Sequence, residues 1–440
     1  MRSEWPTVRL GDHVNACLGK MLDAQKNKGT PQPYLGNSNV RWGAFDLTDL
    51  AEMRFETGEE ERYELHPGDL VVCEGGEPGR CAIWTGPRGM KFQKALHRIR
   101  PRATLDNYYL FNWFRQAART GQLDAHFTGT TIKHLTGRAV AELRVPLPPL
   151  AEQLAMVDVL RPLDERITLL RESNATLEAI AQALFKSWFV DFDPVRAKME
   201  GRAPEGMDEA TAALFPDSFQ ESALGLLPAG WECIDLSDLT KRFGGSIQTG
   251  PFGSQLHASD YVESGVPVVM PKDIMNRRAS TDSIARIRST DADRLSRHKL
   301  MAGDIVFSRR GDVERHALIT DREIGWLCGT GCLLVRPGPG WRSPGFLSML
   351  LDAARARTWL VQHAVGATMP NLNTGILGSV PVVLPSNSTL SAFEELVSVT
   401  EEQRSRNASM AETLAALRDT LLPRLISGEL RLPDAEALAA

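Results

Sequence analysis

Residues 146–194 read PLPPLAEQLAMVDVLRPLDERITLLRESNATLEAIAQALFKSWFVDFDP. The proline cluster at the start can neither continue a strand nor lie inside a helix. Asp191-Phe192-Asp193-Pro194 supplies a stop at the other end. From Leu163 onward, positions recur at alternating steps of four and three: Leu163, Ile167, Leu170, Asn174, Leu177, Ala181, Leu184 and Trp188. That spacing predicts one long helix with a heptad seam, and a seam predicts a partner helix. About forty residues make a rod of roughly 60 Å.

Self-comparison supplies the partner. Trp5-x-x-Val8-x-Leu10-x-Asp12 recurs as Trp231-x-x-Ile234-x-Leu236-x-Asp238, an offset of 226. Pro67-Gly68-Asp69-Leu70-Val71-Val72 recurs as Ala302-Gly303-Asp304-Ile305-Val306-Phe307, offset 235, and Arg100-Pro101 as Arg336-Pro337. His126-x-x-Gly129-x-Thr131 matches His363-x-x-Gly366-x-Thr368, and Leu143-x-Val145-x-Leu147-Pro148 matches Val380-x-Val382-x-Leu384-Pro385, both at offset 237. An ordered series with a slowly drifting offset marks a tandem duplication, with a period far beyond that of solenoid repeats. The partner helix is then the chain's own second rod, with Leu390, Phe393, Val397, Thr400, Met410, Leu414, Leu417 and Leu421 on its seam and a polar middle at Arg404 and Asn407. Pro423 and Ser427-Gly428 are expected to end it. Asn174 and Asn407 fall at or near the seam, where a polar residue fixes register at a cost in stability; solvated positions on imperfect helices are the alternative.

The fold class expected is mixed α+β: two α/β modules separated by two long antiparallel coiled-coil helices, related by internal duplication and pseudo-twofold symmetry. The boundaries are 1–145 for the first module, 146–194 for the first helical region, 195–228 for a linker, 229–385 for the second module, 386–428 for the second helical region and 429–440 for a tail. Strands are expected at Asp69–Val72, Cys81–Trp84, Leu96–Ile99, Val266–Met270, Asp304–Ser308, Ala317–Thr320 and Leu333–Arg336. Helices are expected at Tyr108–Arg119 and Pro344–Gln362.

Length 440 exceeds a single core, and 42% hydrophobic with 24% charged residues is ordinary for a soluble globular protein. No apolar run is long enough to span a membrane, and the N-terminus lacks the apolar core of a signal peptide. Cysteines 17, 73, 81, 233, 328 and 332 show neither disulfide nor zinc spacing, so buried thiols and a cytoplasmic location are expected. A Gly-x4-Gly-Lys-Ser/Thr phosphate loop, the Asn/Asp-Pro-Pro-aromatic motif of amino-methyltransferases, the Glu-x-Lys of metal-dependent nucleases, His-Glu-x-x-His and Gly-x-Ser-x-Gly are all missing. The acidic run Glu56–Glu64 reads as a solvated loop. Neither catalytic residues nor a metal site is expected.

Basic charge stands out inside the modules. Between Lys272 and Arg322 twelve Lys and Arg face eight Asp and Glu, in a chain of net charge −5. Arg309 and Arg310 directly follow a strand-like run, with Arg315 just beyond; Lys272 follows another. Ser254 and Gln255 lie in the Gly-bracketed loop Gly250-Pro251-Phe252-Gly253. Their first-module parallels are Arg80, Lys91, Lys94, Lys133 and His134. Arginine and glutamine on loops suit base edges, and lysine suits phosphates. These eleven residues are the DNA-binding candidates. An ordinary charged surface is the alternative for each taken singly.

The chain resembles the specificity (S) subunit of type I restriction–modification systems. The resemblance rests on the two-module, two-rod duplication and on Leu184-Phe185-Lys186-Ser187-Trp188-Phe189-Val190-Asp191-Phe192-Asp193-Pro194-Val195, Gly250-Pro251-Phe252-Gly253-Ser254 and Gly303-Asp304-Ile305-Val306. It implies that each module is a target recognition domain reading half of a bipartite, asymmetric sequence in double-stranded DNA. It implies that the helices act as a ruler and dock modification (M) subunits, two of them, which carry S-adenosylmethionine. Restriction (R) subunits would add ATP and magnesium. The chain itself would bind none of these cofactors. A single-chain DNA-modifying enzyme and a coiled-coil adaptor without DNA binding are the competing classes.

Overall fold

The computed structural model describes residues 5–23, 27–129, 133–281, 283–366 and 368–430. Thr131 of the repeat, the N-terminal Met1–Glu4 and most of the expected tail lie outside these residues. The chain divides into two compact units, Met1–Arg171 with Ser409–Ala440, and Glu172–Ala408.

In the first unit, β1 (Thr7–Arg9), β2 (Val14–Leu18), β3 (Thr30–Leu35), β4 (Val40–Arg41), β5 (Ala44–Phe45) and β6 (Glu52–Phe55) lead into the one-turn helix α1 (Glu60–Tyr63). Then come β7 (Leu70–Cys73), β8 (Cys81–Ile83), β9 (Lys91–Phe92), β10 (Leu96–Pro101), α2 (Asn107–Arg119), α3 (Gly137–Glu142), β11 (Arg144–Pro146) and the 40-residue helix α4 (Leu150–Phe189). The central sheet runs β2-β10-β7-β8, all antiparallel. Strand β3 pairs antiparallel with β6 and parallel with β9, β4 with β5 makes a hairpin, and β1 pairs with β11. Asp106 starts α2 by accepting the N–H groups of Tyr108 and Tyr109, the capping expected of an aspartate there. One face of α2 then buries Tyr109, Leu110, Trp113, Phe114 and Ala117 in a core shared with Leu70, Val72 and Ile99 of the sheet and Met156, Leu160 and Leu163 of α4.

The second unit carries α5 (Asp193–Met199), α6 (Glu209–Ala213), the hairpin β12 (Phe219–Ser222) with β13 (Gly225–Pro228), β14 (Glu232–Asp235), α7 (Leu236–Arg242) and β15 (Ser246–Thr249). It continues through β16 (Tyr261–Val262), β17 (Val266–Val269), β18 (Ile274–Met275), β19 (Arg278–Ala279), β20 (Ala285–Ile287), α8 (Ser289–Arg294), β21 (Ile305–Ser308), β22 (His316–Leu318), β23 (Leu327–Cys328) and β24 (Cys332–Arg336). Helices α9 (Pro344–Asp352), α10 (Ala354–His363) and α11 (Thr374–Gly378) and strand β25 (Pro381–Leu384) complete the module, and helix α12 (Asn387–Ser427), like α4, has residues in both units. The sheet order β15-β24-β21-β22 repeats that of the first unit. Strand β17 pairs antiparallel with β20 and parallel with β23, β18 with β19 makes a hairpin, and β14 pairs with β25. Every strand pairing of the first module recurs, so the duplication read from sequence is a duplication of topology.

The repeated Gly-Asp and Arg-Pro motifs have a structural cause. Asp69 is buried, caps a turn by accepting the His66 N–H at 2.7 Å, and takes Arg100 in a two-pronged pair at 2.6 and 2.8 Å. Asp304 caps at Met301 at 2.9 Å and takes Arg336 at 2.8 and 2.6 Å. The bidentate fork is the strong form of this pairing, and in each module it ties a central strand to the turn that feeds its neighbour.

The long helices pair antiparallel in each unit. In the first, Ile167 and Leu170 pack with Ala411 and Leu414, and Leu163 shares the core that holds Leu417 and Leu421. In the second, Ala181, Phe185 and Trp188 pack with Leu390, Phe393 and Val397, with Leu184 alongside. Leu177 is only half-buried. Two expectations on α12 need correction. Met410 is 52% exposed and Ala411 takes the buried place, because the seam shifts by one residue beyond Asn407. Pro423 does not end the helix, which runs on to Ser427; the buried Leu421, Leu422, Leu425 and Ile426 hold that turn against the core.

Three further expectations differ from the structure. The segment 195–228, expected to be a linker with one amphipathic turn near Met207–Leu214, is folded: Val195 and Phe215 enter the second core, with Met207 and Leu214 packed against it. The helix expected over Pro344–Gln362 breaks at Ala353, whose ψ of 145° is extended. The acidic run is solvated at Glu56, Glu60 and Glu61 as expected, but it is not a loop: Glu60–Tyr63 form α1, and Glu59 pairs with Lys20 at 2.5 Å and Glu64 with Arg88 at 2.7 Å. All six cysteines are free thiols, four of them buried. No helix among the described residues is long and apolar enough to cross a membrane.

Candidate nucleic-acid interface

One edge of each central sheet gathers loops from distant parts of the chain. In the first module Gly19, after β2, donates to Leu96 O at 3.0 Å; Glu74, after β7, donates to Ala95 O at 2.8 Å; and Leu135 donates to Glu74 O at 2.7 Å. In the second, Gly250 donates to Cys332 O, Arg309 to Gly331 O and Leu372 to Arg309 O, each at 2.9 Å. The lacing is the same bond for bond. Gly250 is required there: a Cβ on it would stand 2.0 Å from the Gly329 carbonyl oxygen. Gly250 thus serves close backbone approach, whereas a Cβ on Gly253 would meet nothing within 4 Å.

Most of the sequence candidates sit on or beside these rims. Arg310 and Lys94 are exposed, and neither makes an ion pair among the described residues. Lys133 is exposed on the loop 133–135, its ammonium 5.7 Å from the Phe127 ring; His134 is half-buried and pairs backbone to backbone with Thr128. Ser254 is exposed, and Gln255 uses its Oε1 to accept the Phe252 N–H at 3.0 Å. Lys272 is exposed and donates to Ser283 O at 2.9 Å. Arg315 pairs with Asp312 at 2.7 Å. Arg309 is half-buried and donates to Leu372 O at 3.3 Å, and Arg80 donates to Asn37 O at 3.0 Å and pairs with Glu77 at 3.1 Å. These two guanidiniums brace loops.

Lys91 is a correction. It is only 3% exposed, donates to Glu60 O at 3.5 Å and lies 5.9 Å from the Phe55 ring. It is on β9, the short parallel partner of β3, and faces inward, so it cannot meet a phosphate. Sequence reasoning also passed over the exposed apolar residues Phe252, Val365 and Met369. Val365 precedes Gly366, and Met369 precedes Pro370, whose carbonyl accepts the Gly311 N–H at 3.0 Å and ties this stretch to the rim. Large apolar residues beside glycine and proline were the available signal.

Two buried ionic clusters tie each module to both long helices. In the first unit Asp164 of α4 accepts from Arg115 of α2 at 3.1 Å, from Arg418 of α12 at 2.7 Å and from the Tyr108 hydroxyl. In the second, Glu178 of α4 accepts from Arg277 at 2.5 Å and pairs with Arg404 of α12, while Glu401 pairs with Arg404 at 2.6 Å and with Arg278. Burial resists ionisation of Asp164 and Glu178, but the facing guanidiniums outweigh it and hold both below the ordinary carboxylate range. Asp352 lies the other way, pushed up by burial that Arg277 and Arg357 only partly offset.

Residues 2–179 match the model of the type I restriction modification DNA specificity domain. The chain is 28% identical over 345 residues to the HindI specificity subunit of Haemophilus influenzae, covering 68% of this chain and 72% of that one. The chain is thus similar to type I restriction enzyme specificity subunits. The MjaIX specificity subunit of Methanocaldococcus jannaschii is 24% identical over 371 residues, covering 83% and 78% of the two chains. The EcoBI specificity subunit of Escherichia coli is 23% identical over 383 residues, covering 84% and 75%. The fold is that of the S subunit from the M. genitalium type I system, with 16% identity, a TM-score of 0.54 and 96% of each chain covered.

Proposed function

We propose that this chain is the DNA sequence-specificity subunit of a type I restriction–modification enzyme, in which each module reads one half of a bipartite, asymmetric target in duplex DNA. The observation that carries this is the pair of equivalent loop rims, one per module, built on the same strand order and laced by the same hydrogen bonds. Loops projecting from a rigid sheet edge can vary in sequence without disturbing the core, which is what a family of readers with different targets requires. The 40-residue helix α4 is about 60 Å long, and half-sites one turn apart are about 34–36 Å apart. The helix pair is therefore long enough to set the spacing and still offer surface to partners.

In this reading two M subunits dock on the helices and carry S-adenosylmethionine, and R subunits joining that core use ATP and magnesium. Catalysis then belongs to the partners, and the chain works where they do, in the cytoplasm. The direct test is binding of the assembled S–M complex to duplex DNA as salt is raised. Affinity should fall steeply and linearly on logarithmic axes, with a slope close to the number of phosphates neutralised. Sequence-independent binding by the assembled complex would sink the proposal.

A further inference from the structure

The hairpin β4–β5 turns through Trp42-Gly43, and its repeat β18–β19 turns through Asn276-Arg277. Both Asn276 (φ 49°) and Arg277 (φ 59°) are left-handed. A two-residue turn with both central residues left-handed strongly prefers glycine second; in the first module only the second turn residue is left-handed, and it is a glycine, Gly43 with φ 75°. Arg277 is a β-carbon-bearing residue in the glycine place, and such an outlier points to a role for the side chain. Its guanidinium is 6% exposed and meets Glu178 of α4 at 2.5 Å, Glu401 of α12 at 3.9 Å, Asp352 of α9 at 4.0 Å and Ser348 Oγ at 3.1 Å.

The first module makes the same connection from another position. Counting from the helix N-caps, Asp106 and Ser343, Arg115 of α2 occupies the place that Asp352 has in α9. Arg115 reaches Asp164, which stands 237 residues before Glu401. A Cβ on Gly43 would lie 3.2 Å from the Phe111 ring and 3.7 Å from the Arg115 guanidinium. So the arginine is on the helix in one module and on the turn in the other, and the exchanged position is glycine or aspartate. The duplication has kept a guanidinium between module and α4 while its source moved; Arg277 also reaches Glu401 of α12, and Arg115 is joined to α12 through Asp164 and Arg418.

We infer that Arg277 is a positioning residue that fixes the angle of the second reader on the helix pair, and with it the length of spacer that the complex accepts between half-sites; Arg115 does the same for the first. The inference rests on the proposed function. A buried ionic contact is a weak source of net stability but can select one arrangement among several.

The test uses the full chain co-expressed with its M subunits. Methylated adenines in the host genome define the wild-type target, and plasmids then carry that target with its spacer one base pair longer or shorter. Arg277→Gly suits the turn backbone while removing the guanidinium, so it should leave the half-site bases unchanged. Methylation at the altered spacers, relative to the cognate one, should rise at least tenfold. Arg277→Lys, which keeps a charge, should restore part of the strictness. If the glycine variant does not accumulate, Arg277→Gln carries the same expectation. Equal loss of methylation at every spacer, or unchanged strictness, overturns the inference while leaving the two-reader function intact. A wild-type complex that methylates no bipartite sequence overturns the functional reading itself.

Discussion

Asn407 of α12 donates its carboxamide N–H to Asn174 Oδ1 of α4 at 2.9 Å, and Asn174 donates in turn to the Arg404 carbonyl at 3.0 Å. The heptad pattern put both asparagines at or near the seam, and the structure makes them a pair. Such a pair is satisfied only in one register. Asn407→Ala is expected to cost about 1–2 kcal/mol, because it strips the donor from a half-buried acceptor. A double-mutant cycle with Asn174→Ala, read by thermal unfolding, should give a coupling near 1 kcal/mol. Strict additivity would show that the carboxamides ignore each other.

The Asp69–Arg100 and Asp304–Arg336 forks are structural, and their loss should show it. Asp69→Asn and Asp304→Asn should each destabilise by about 2–4 kcal/mol, since each breaks a charge-assisted fork at a buried carboxylate. The methylated sequence should not change. A changed half-site in either variant would place these residues in the reading surface.

The rim candidates divide by exposure. Arg310→Ala and Lys94→Ala should each weaken DNA binding across all sequences and reduce the salt slope by about 1 if the side chain meets a phosphate. Lys91→Ala should lower the melting temperature and leave the slope alone, because its ammonium is buried. A reduced slope for Lys91→Ala would contradict its placement.

Much of this was legible because the signals were periodic or repeated. The heptads gave the long helices, and the drifting offset gave the second rod and the two modules. What the sequence hid was set by three-dimensional neighbours. Lys91 reads as a surface lysine until β9 turns it inward. Met410 keeps the heptad while Ala411 fills the gap. Pro423 reads as a helix stop, yet the leucines around it are buried well enough to carry the helix through. Arg277 carries no motif at all; its significance appears only when its turn is laid beside Trp42-Gly43.

Acid should loosen the second unit through His316. Burial, reinforced by the Arg277 charge, pushes this histidine down to about 3 from 6.5. The unfolded chain therefore takes up a proton at higher pH than the folded one. Stability from this group is complete above about pH 6.5 and is lost progressively as pH falls toward 3. His316→Gln, which cannot titrate, should flatten this part of the curve of melting temperature against pH. Parallel curves for the two proteins between pH 6.5 and 4 would exclude His316 as a source of acid lability.

The central claim is that the two modules read independently. The most direct measurement replaces residues 1–145 with those of a type I specificity subunit of different target, expresses the hybrid with its M subunits, and maps methylated adenines across the genome. The expected result is a new sequence in one half of the target, with the other half and the spacer unchanged. Unchanged methylation, or a change in both halves, would contradict the account.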